Sequence, residues 1–292
     1  ETKRFGVELL AAHRVAAISR QEGLFQLSTS GGIHVARNVV LATGGLSLPK
    51  TGSDGLGYRL AASLGHTIIP TTPGLEPLLL EGGFAAALSG IAHPVEICVR
   101  AAGRKPVFLE GPMLWTHFGV SGPAALDASR HWQRAKLDGL AVGVTVNLLP
   151  GNDAASMEAK LLQLVQTQPR TQLRNTLSTL IPAKVADAVL AQLKLRGDTT
   201  MANLPREDRR TLIKALLEWP LPVTGGRGYN FAEVTAGGVP LAEVDPSTLE
   251  SRPCAGLYFA GEILDVDGRL GGFNFQWAWS SAWVVASGVA RA

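Results

Sequence analysis

The chain has 292 residues, 46% hydrophobic and 17% charged, a balance that allows a sizeable apolar core and excludes a disordered polypeptide. A net charge of +3 is slight for this length, and the densest basic stretch, residues 206–214, is interrupted by Glu207 and Asp208 as on a solvated helix face, so no nucleic-acid partner is expected. Cys98 and Cys254 lie far apart without a C-x-x-C, and the six histidines show no H-x-x-x-H or H-x-H spacing, which argues against a redox dithiol, an iron–sulfur cluster or a metal site and favours two buried thiols over a disulfide.

Short strands are predicted over residues 7–10, 15–19, 24–29 and 33–36, with Ser30-Gly31-Gly32 as a hairpin turn between the last two. The continuous apolar run 38–42 reads as a strand buried on both faces, stopping at Thr43-Gly44-Gly45. Asp54-Gly55 opens a helix with Leu60, Ala61 and Leu64 on one face and Gly65 at its C-terminus. From about Leu79 the pattern changes. Val95, Ile97 and Val99, then Leu140, Val142, Val144, Val146 and Leu148, alternate as in half-buried antiparallel strands. Between them the turn 116–123 leads into a helix, with Ser121 or Gly122 near its cap and Pro123 near its first position.

Residues 153–218 predict about four helices punctuated by Pro169, Pro182 and Pro205, so a β unit is followed by a helical one, as in an insertion. After residues 220–222 strands return, over 231–235 ending in Ala236-Gly237-Gly238, and over 256–260 ending in Gly261-Glu262. A glycine-rich loop, 268–272, then enters a final helix near Asn274. The apolar stretch 275–290 is about a turn short of a membrane span and carries Gln276, Ser280, Ser281 and Ser287. With no signal peptide visible, a cytoplasmic protein without membrane attachment is expected.

Two apolar strands ending in glycine loops suit a ligand at the carboxyl edge of an α/β sheet, where glycine lets backbone approach a flat or phosphorylated group. Gly271-Gly272-Phe273-Asn274 adds the positive end of a helix dipole, suited to phosphate or to the N1/C2 edge of a reduced flavin; a glycine-linked core helix would read the same way. Phe273, Phe275, Trp277, Trp279 and Trp283 fit a core or interface better than a ring-stacking platform. Glu262 could accept hydrogen bonds from ribose or ribityl hydroxyls, and Asp265 and Asp267 could do the same or cap their turn. His117, in a glycine-rich turn, is the one candidate proton donor and equally a plain turn residue. No G-x-G-x-x-G follows a strand, and there is no P-loop.

Four ordered motifs carry a resemblance over nearly the whole chain: Ala42-Thr43-Gly44-Gly45-Leu46-Ser47-Leu48-Pro49-Lys50-Thr51-Gly52-Ser53, Thr116-His117-Phe118-Gly119-Val120-Ser121-Gly122-Pro123, Val234-Thr235-Ala236-Gly237-Gly238-Val239, and Gly261-Glu262-Ile263-Leu264-Asp265-Val266-Asp267-Gly268 followed by Gly271-Gly272-Phe273-Asn274-Phe275-Gln276-Trp277-Ala278-Trp279-Ser280-Ser281. They resemble the BaiN-type, aminoacetone-oxidase-like FAD-dependent oxidoreductases. The resemblance implies an α/β fold: a glutathione-reductase-type, Rossmann-like FAD-binding domain over 1–78 and 226–292, and an insert over 79–225 with a β-barrel-like part (79–150) and a helical part (151–225). It implies hydride transfer between FAD and a small organic substrate, with NAD(P)H as a candidate electron donor. Thr43, Gly44 and Gly45 would line the cofactor, Glu262 and Asp265 would lie near its ribityl–pyrophosphate region, and Gly272, Asn274 and Phe275 would face the flavin, with Gly261 and Gly271 in the same loops. Val15 would lie beside the adenine, and Gly237 and Gly238 where the chain returns from the insert.

The family pattern begins with a strand, a glycine-rich turn and a helix for the pyrophosphate, whereas this chain begins at Glu1 with none of these. About a hundred residues are therefore expected to be missing upstream. The alternative reading is a truncated, catalytically incompetent flavoprotein fragment with a binding or scaffold role. The substrate and the oligomeric state stay open at this point.

Overall fold

A computed structural model describes residues 2–291. In chain order the elements are β1 (Val15–Gln21), β2 (Leu24–Thr29), β3 (Gly32–Ala36), β4 (Val39–Leu41), α1 (Leu56–Ser63), β5 (Ile69–Gly74), β6 (Leu78–Leu80), α2 (Phe84–Ala87), β7 (Ala92–Ala101), β8 (Val107–Thr116), β9 (Gly119–Ser121) and α3 (Pro123–Leu137). There follow β10 (Val142–Asn147), α4 (Ala154–Thr167), α5 (Leu173–Ser178), α6 (Ala183–Gln192), α7 (Arg206–Leu217), β11 (Trp219–Leu221), β12 (Val223–Gly226), β13 (Val234–Gly238), β14 (Leu257–Phe259) and α8 (Phe273–Val289). Contacts divide them into two units, the first built from both ends of the chain up to Thr71 and from Val234 onward, the second from Thr72–Glu233.

In the first unit β1, β2 and β3 form an antiparallel meander, with Ile18 opposite Leu27 and Phe25 opposite Ala36. Ile18 and Phe25 turn inward onto Leu41, Leu60, Leu257, Phe259, Ile263 and Val285. Burying side chains of this size stabilises by about 1.5–3 kcal/mol each. β4 and β14 pair in parallel, Val39 with Leu257 and Leu41 with Phe259. All of β14 is buried, but Val40 is 43% exposed, so only one face of β4 is covered and the expectation of burial on both faces fails. The apolar run alone carries no record of which neighbours are present to cover it.

Between α1 and β5, His66 holds the returning chain. One ring nitrogen lies 2.8 Å from Glu243 Oε2 and the other 2.7 Å from Ser251 Oγ, while the Thr67 N–H and hydroxyl and the Cys254 N–H complete the network. The Ser–His–Glu order matches a nucleophilic triad, yet Ser251 is 5% exposed and its oxygen already takes the Cys254 N–H at 2.8 Å, so the arrangement is a structural pin.

The second unit carries an antiparallel sheet in the order β11-β10-β7-β8-β9-β6-β12. Ile97, Trp115, Val120 and Val146 line its core, with Trp132 from α3 and Leu161, Val185, Leu212 and Leu216 from the helices that follow. Those are the four helices read from the sequence; Asp153 and Ser156 form a reciprocal cap on α4, and Pro182 and Pro205 stand immediately before α6 and α7.

Two predicted strands differ. Residues 7–10 form none: Gly6 and Ala12 on either side take left-handed φ angles of 69° and 59°, and Val7 and Leu9 remain 55% and 80% exposed, paired with no strand among the described residues. The strand predicted from 231 begins at Val234 instead, because Phe231 and Ala232 donate their N–H groups back to the Gly228 carbonyl in a turn. Among the described residues no helix is long and apolar enough to cross a membrane, no group of three or more side chains could hold a metal, and Cys98 and Cys254 are free and buried.

Candidate functional site

Because β4 and β14 run in parallel and in register, their carboxyl ends lie side by side, closed by the bond from Ala260 N–H to Leu41 O at 3.1 Å. The loops Thr43-Gly44-Gly45 and Gly261-Glu262 therefore meet. The Glu262 carboxylate accepts the Thr235 N–H at 3.2 Å, the Thr235 hydroxyl and the Gly45 N–H. Thr235 Oγ1 accepts in turn from Leu46 N–H at 2.7 Å and Ser47 N–H at 3.1 Å, so one hydroxyl joins both loops to β13. A Cβ on Gly45 would stand 2.4 Å from Thr235 Oγ1 and 2.5 Å from Glu262 Oε1, and only glycine fits there. Burial raises the pKa of Glu262 against the pull of these hydrogen bonds.

The final helix packs on this edge through its middle turns. Gly261 N–H donates to Ser281 Oγ at 2.8 Å, and Trp277 Nε1 donates to Gly261 O at 3.1 Å. Ser281 is buried and Ala278 lies 3.7 Å from the Cβ position of Gly261, so small side chains bring α8 close to the strand end. Gly272, at φ 87°, precedes the helix; no side chain caps it, and no heavy atom beyond its chain neighbours stands within 4 Å of its Cβ position. Asn274 is spent on the loop, its Oδ1 accepting Gly268 N–H at 2.7 Å and its Nδ2 donating to Gly268 O at 3.0 Å. Phe275, Trp279 and Trp283, four residues apart, form one face of α8 and are 75–77% exposed.

The other predicted site residues fall as follows. Val15 begins β1 opposite Thr29, and the adjacent Arg14 pairs with Asp54 ahead of α1, where that hydrogen bond holds the Asp54 carboxyl below its ordinary range. Thr43 sits against Gly57 of α1, and Gly44, at φ 67°, lies beside Ser53. Gly237 and Gly238 press on backbone: their Cβ positions are 2.6 Å from Pro70 O and 2.5 Å from Ile263 O. Asp265 donates its N–H to Val239 O at 2.8 Å, and Gly271, at φ 118°, precedes Gly272 in the loop. His117 belongs to the second unit, exposed in the β8–β9 turn with its ring edge-on to Phe118. Sequence reasoning missed Thr235 as the hub and Trp277 and Ser281 as the ties. Thr235 lay inside a recognised motif, but nothing local marked its hydroxyl.

Comparison with known proteins follows this geometry. The family model described as HI0933-like protein Rossmann domain matches residues 1–288. A protein of Escherichia coli K12 named ribosomal RNA dihydrouridine synthase is 37% identical over 98% of this chain and 69% of its own length. A Haemophilus influenzae protein of the same name is 34% identical over the whole chain and 71% of its own length. A Clostridium scindens protein named 3-dehydro-bile acid delta(4,6)-reductase is 31% identical, again over the whole chain and 71% of its length. The paired strand ends, the glycine loops and the closing helix are thus those of a Rossmann-type domain, and the chain belongs to the HI0933-like family.

Proposed function

We propose that the chain is part of a flavin-dependent oxidoreductase that saturates a carbon–carbon double bond conjugated to a carbonyl, with uridine in ribosomal RNA as its substrate class. The names of the relatives support the chemistry: making dihydrouridine and reducing a 3-dehydro delta(4,6) bile acid both add two hydrogens across such a bond. The higher identities, 37% and 34%, favour the nucleoside. This departs from the absence of a nucleic-acid partner expected from overall charge, which is a weak guide to a site that reads one exposed base.

The observation that carries the reading is the open, uncapped start of α8, a helix whose middle turns pack on Gly261 next to Glu262. The residues present fit the isoalloxazine end of FAD: a Cβ on Gly272 would meet no other part of the protein, and the helix start carries partial positive charge toward an electron-rich ring edge. FAD, when bound, supplies hydride chemistry, with NAD(P)H as the proposed donor. Gly271 and Gly272 would leave room for the ring and α8 would orient it. The Glu262 carboxylate would fix the neighbouring loop, and His117 remains the candidate for delivering the proton. The glutathione-reductase-type topology and the inserted character of the second unit belong to the same proposal.

The test is flavin reconstitution followed by NAD(P)H-dependent formation of dihydrouridine in unmodified ribosomal RNA, read by mass spectrometry. Flavin uptake with dihydrouridine supports the reading. Uptake with reduction of a steroid enone alone replaces the substrate class, and no flavin uptake either by the chain or by the chain joined to the part of the Escherichia coli relative that it does not span removes the reading altogether.

A further inference from the structure

Within the second unit, the loop from Gly226 to Gly228 holds an arginine in an unusual setting. The Arg227 guanidinium carbon lies 3.5 Å from the ring centroid of Phe231 and 4.6 Å from that of Phe118. Phe118 meets the His117 ring edge-on at 5.0 Å between centroids. His117 is exposed, Phe231 is 46% exposed, and Arg227 is half-buried with no ion-pair partner among the described residues. An arginine of purely structural use normally ends on a carboxylate or on backbone carbonyls.

The loop beneath is fixed. Glu76, fully buried, accepts the Gly228 and Arg227 N–H groups and the Gln133 side-chain amide, and a Cβ on Gly226 would overlap its carboxylate. The Arg227 N–H also reaches Pro77 O at 3.2 Å, and the Phe231 N–H reaches Gly228 O at 2.9 Å. The nearby acid is thereby turned inward onto three donors, while the arginine lies against two rings with no countercharge among the described residues. A guanidinium held over an aromatic ring keeps its in-plane N–H groups for bonding, the groups that grip two oxygens of one phosphate. The part-open Phe231 ring offers a stacking surface next to that phosphate, the pairing by which single-stranded RNA is held.

We infer that Arg227, held against the rings of Phe231 and of Phe118, the neighbour of His117, is a contact site for a phosphodiester and its adjoining base in single-stranded RNA. This rests on the ribosomal RNA reading above and names where the polynucleotide, rather than the reacting ring, is gripped.

The experiment uses the full chain and a fluorescent uridine-rich RNA single strand, with binding followed by anisotropy over a salt series. Arg227→Ala is expected to weaken binding about ten-fold and to lower the slope of log affinity against log salt by roughly 0.7, one phosphate contact. Arg227→Lys, which keeps the charge and not the planar fork, should recover less than half of that loss in log affinity. Unfolding temperature confirms that both variants are folded. Parent-like binding by Arg227→Ala or by Arg227→Lys overturns the inference and leaves the function standing if dihydrouridine still forms. Competition by polyglutamate as strong as by polyuridylate overturns it in favour of an acidic protein partner. A parent that binds no RNA overturns it too, and the reduction assay then decides separately whether the function falls with it.

Discussion

Thr235→Val removes one oxygen and keeps the shape of the side chain. That oxygen takes the N–H groups of Leu46 and Ser47 at 2.7 and 3.1 Å and donates to the Glu262 carboxylate. The valine leaves two part-buried or buried N–H groups and one desolvated carboxylate short of a partner, each such loss costing about 1–3 kcal/mol before relaxation. Allowing water to reach the less buried Leu46, the net cost is about 2–4 kcal/mol, or roughly 3–7 °C in unfolding temperature for a chain of 292 residues. Thr235→Ser keeps the hydroxyl and should lose about 1 kcal/mol, the value of one methyl group. Thermal unfolding ranks the three proteins, and hydrogen exchange localises the effect, with the Leu46 and Ser47 amides losing protection in the valine variant alone. If valine unfolds within 1 or 2 °C of the parent and those amides stay protected, the hydroxyl is no hub and the account of how the two loops are joined is wrong.

Gly45→Ala should destabilise by about 1–3 kcal/mol and weaken flavin uptake, because the new Cβ must displace Thr235 and Glu262; unchanged uptake by titration would separate this loop from the cofactor. Glu262 has a raised pKa in the folded chain, so its contribution is fully present below the ordinary glutamate range and is lost as pH rises through the raised value; Glu262→Gln should flatten denaturant-measured stability over that interval. For Glu243, burial works to raise the pKa, but hydrogen bonds from Thr67 and His66 outweigh it and the net shift is downward. Its contribution is therefore present above the ordinary range and lost as pH falls through the lowered value, a loss absent from Glu243→Gln in acid titration. Replacing Phe275, Trp279 and Trp283 together by serine should cost little stability and reduce self-association in sedimentation, since all three are more than 70% exposed.

Much of the fold was legible because local chemistry and tertiary packing agree. Leu24–Thr29 alternates between turns and forms the predicted strand, and after it α4 begins at the Asp153 cap and α6 and α7 begin just past Pro182 and Pro205, signals that act within a few residues. Where partners are distant, the reading failed. Val7 and Leu9 look like strand residues, but no strand among the described residues pairs with them. Val40 lies in an unbroken apolar run and is still half-open. At the candidate site the glycine loops and the closing helix were visible as motifs. The groups that join them were not, because Thr235 stands 189 residues from Leu46 and His66 stands 177 from Glu243. Asn274 carries a role that its motif did not reveal: its side-chain amide closes a loop onto Gly268.

The first unit is assembled from the two ends of the chain, and its parallel pair joins Val39 to Leu257. During synthesis β4 leaves the ribosome long before β14 exists, whereas every residue of the second unit has emerged by Glu233. The second unit can therefore complete its fold before the first. At translation rates of about 5–20 residues per second, the early meander waits for roughly ten seconds or more with its inward face unclosed. That delay exposes Phe25, Leu41 and Leu60 to whatever the nascent chain meets, and chaperone demand should fall on this first quarter of the sequence.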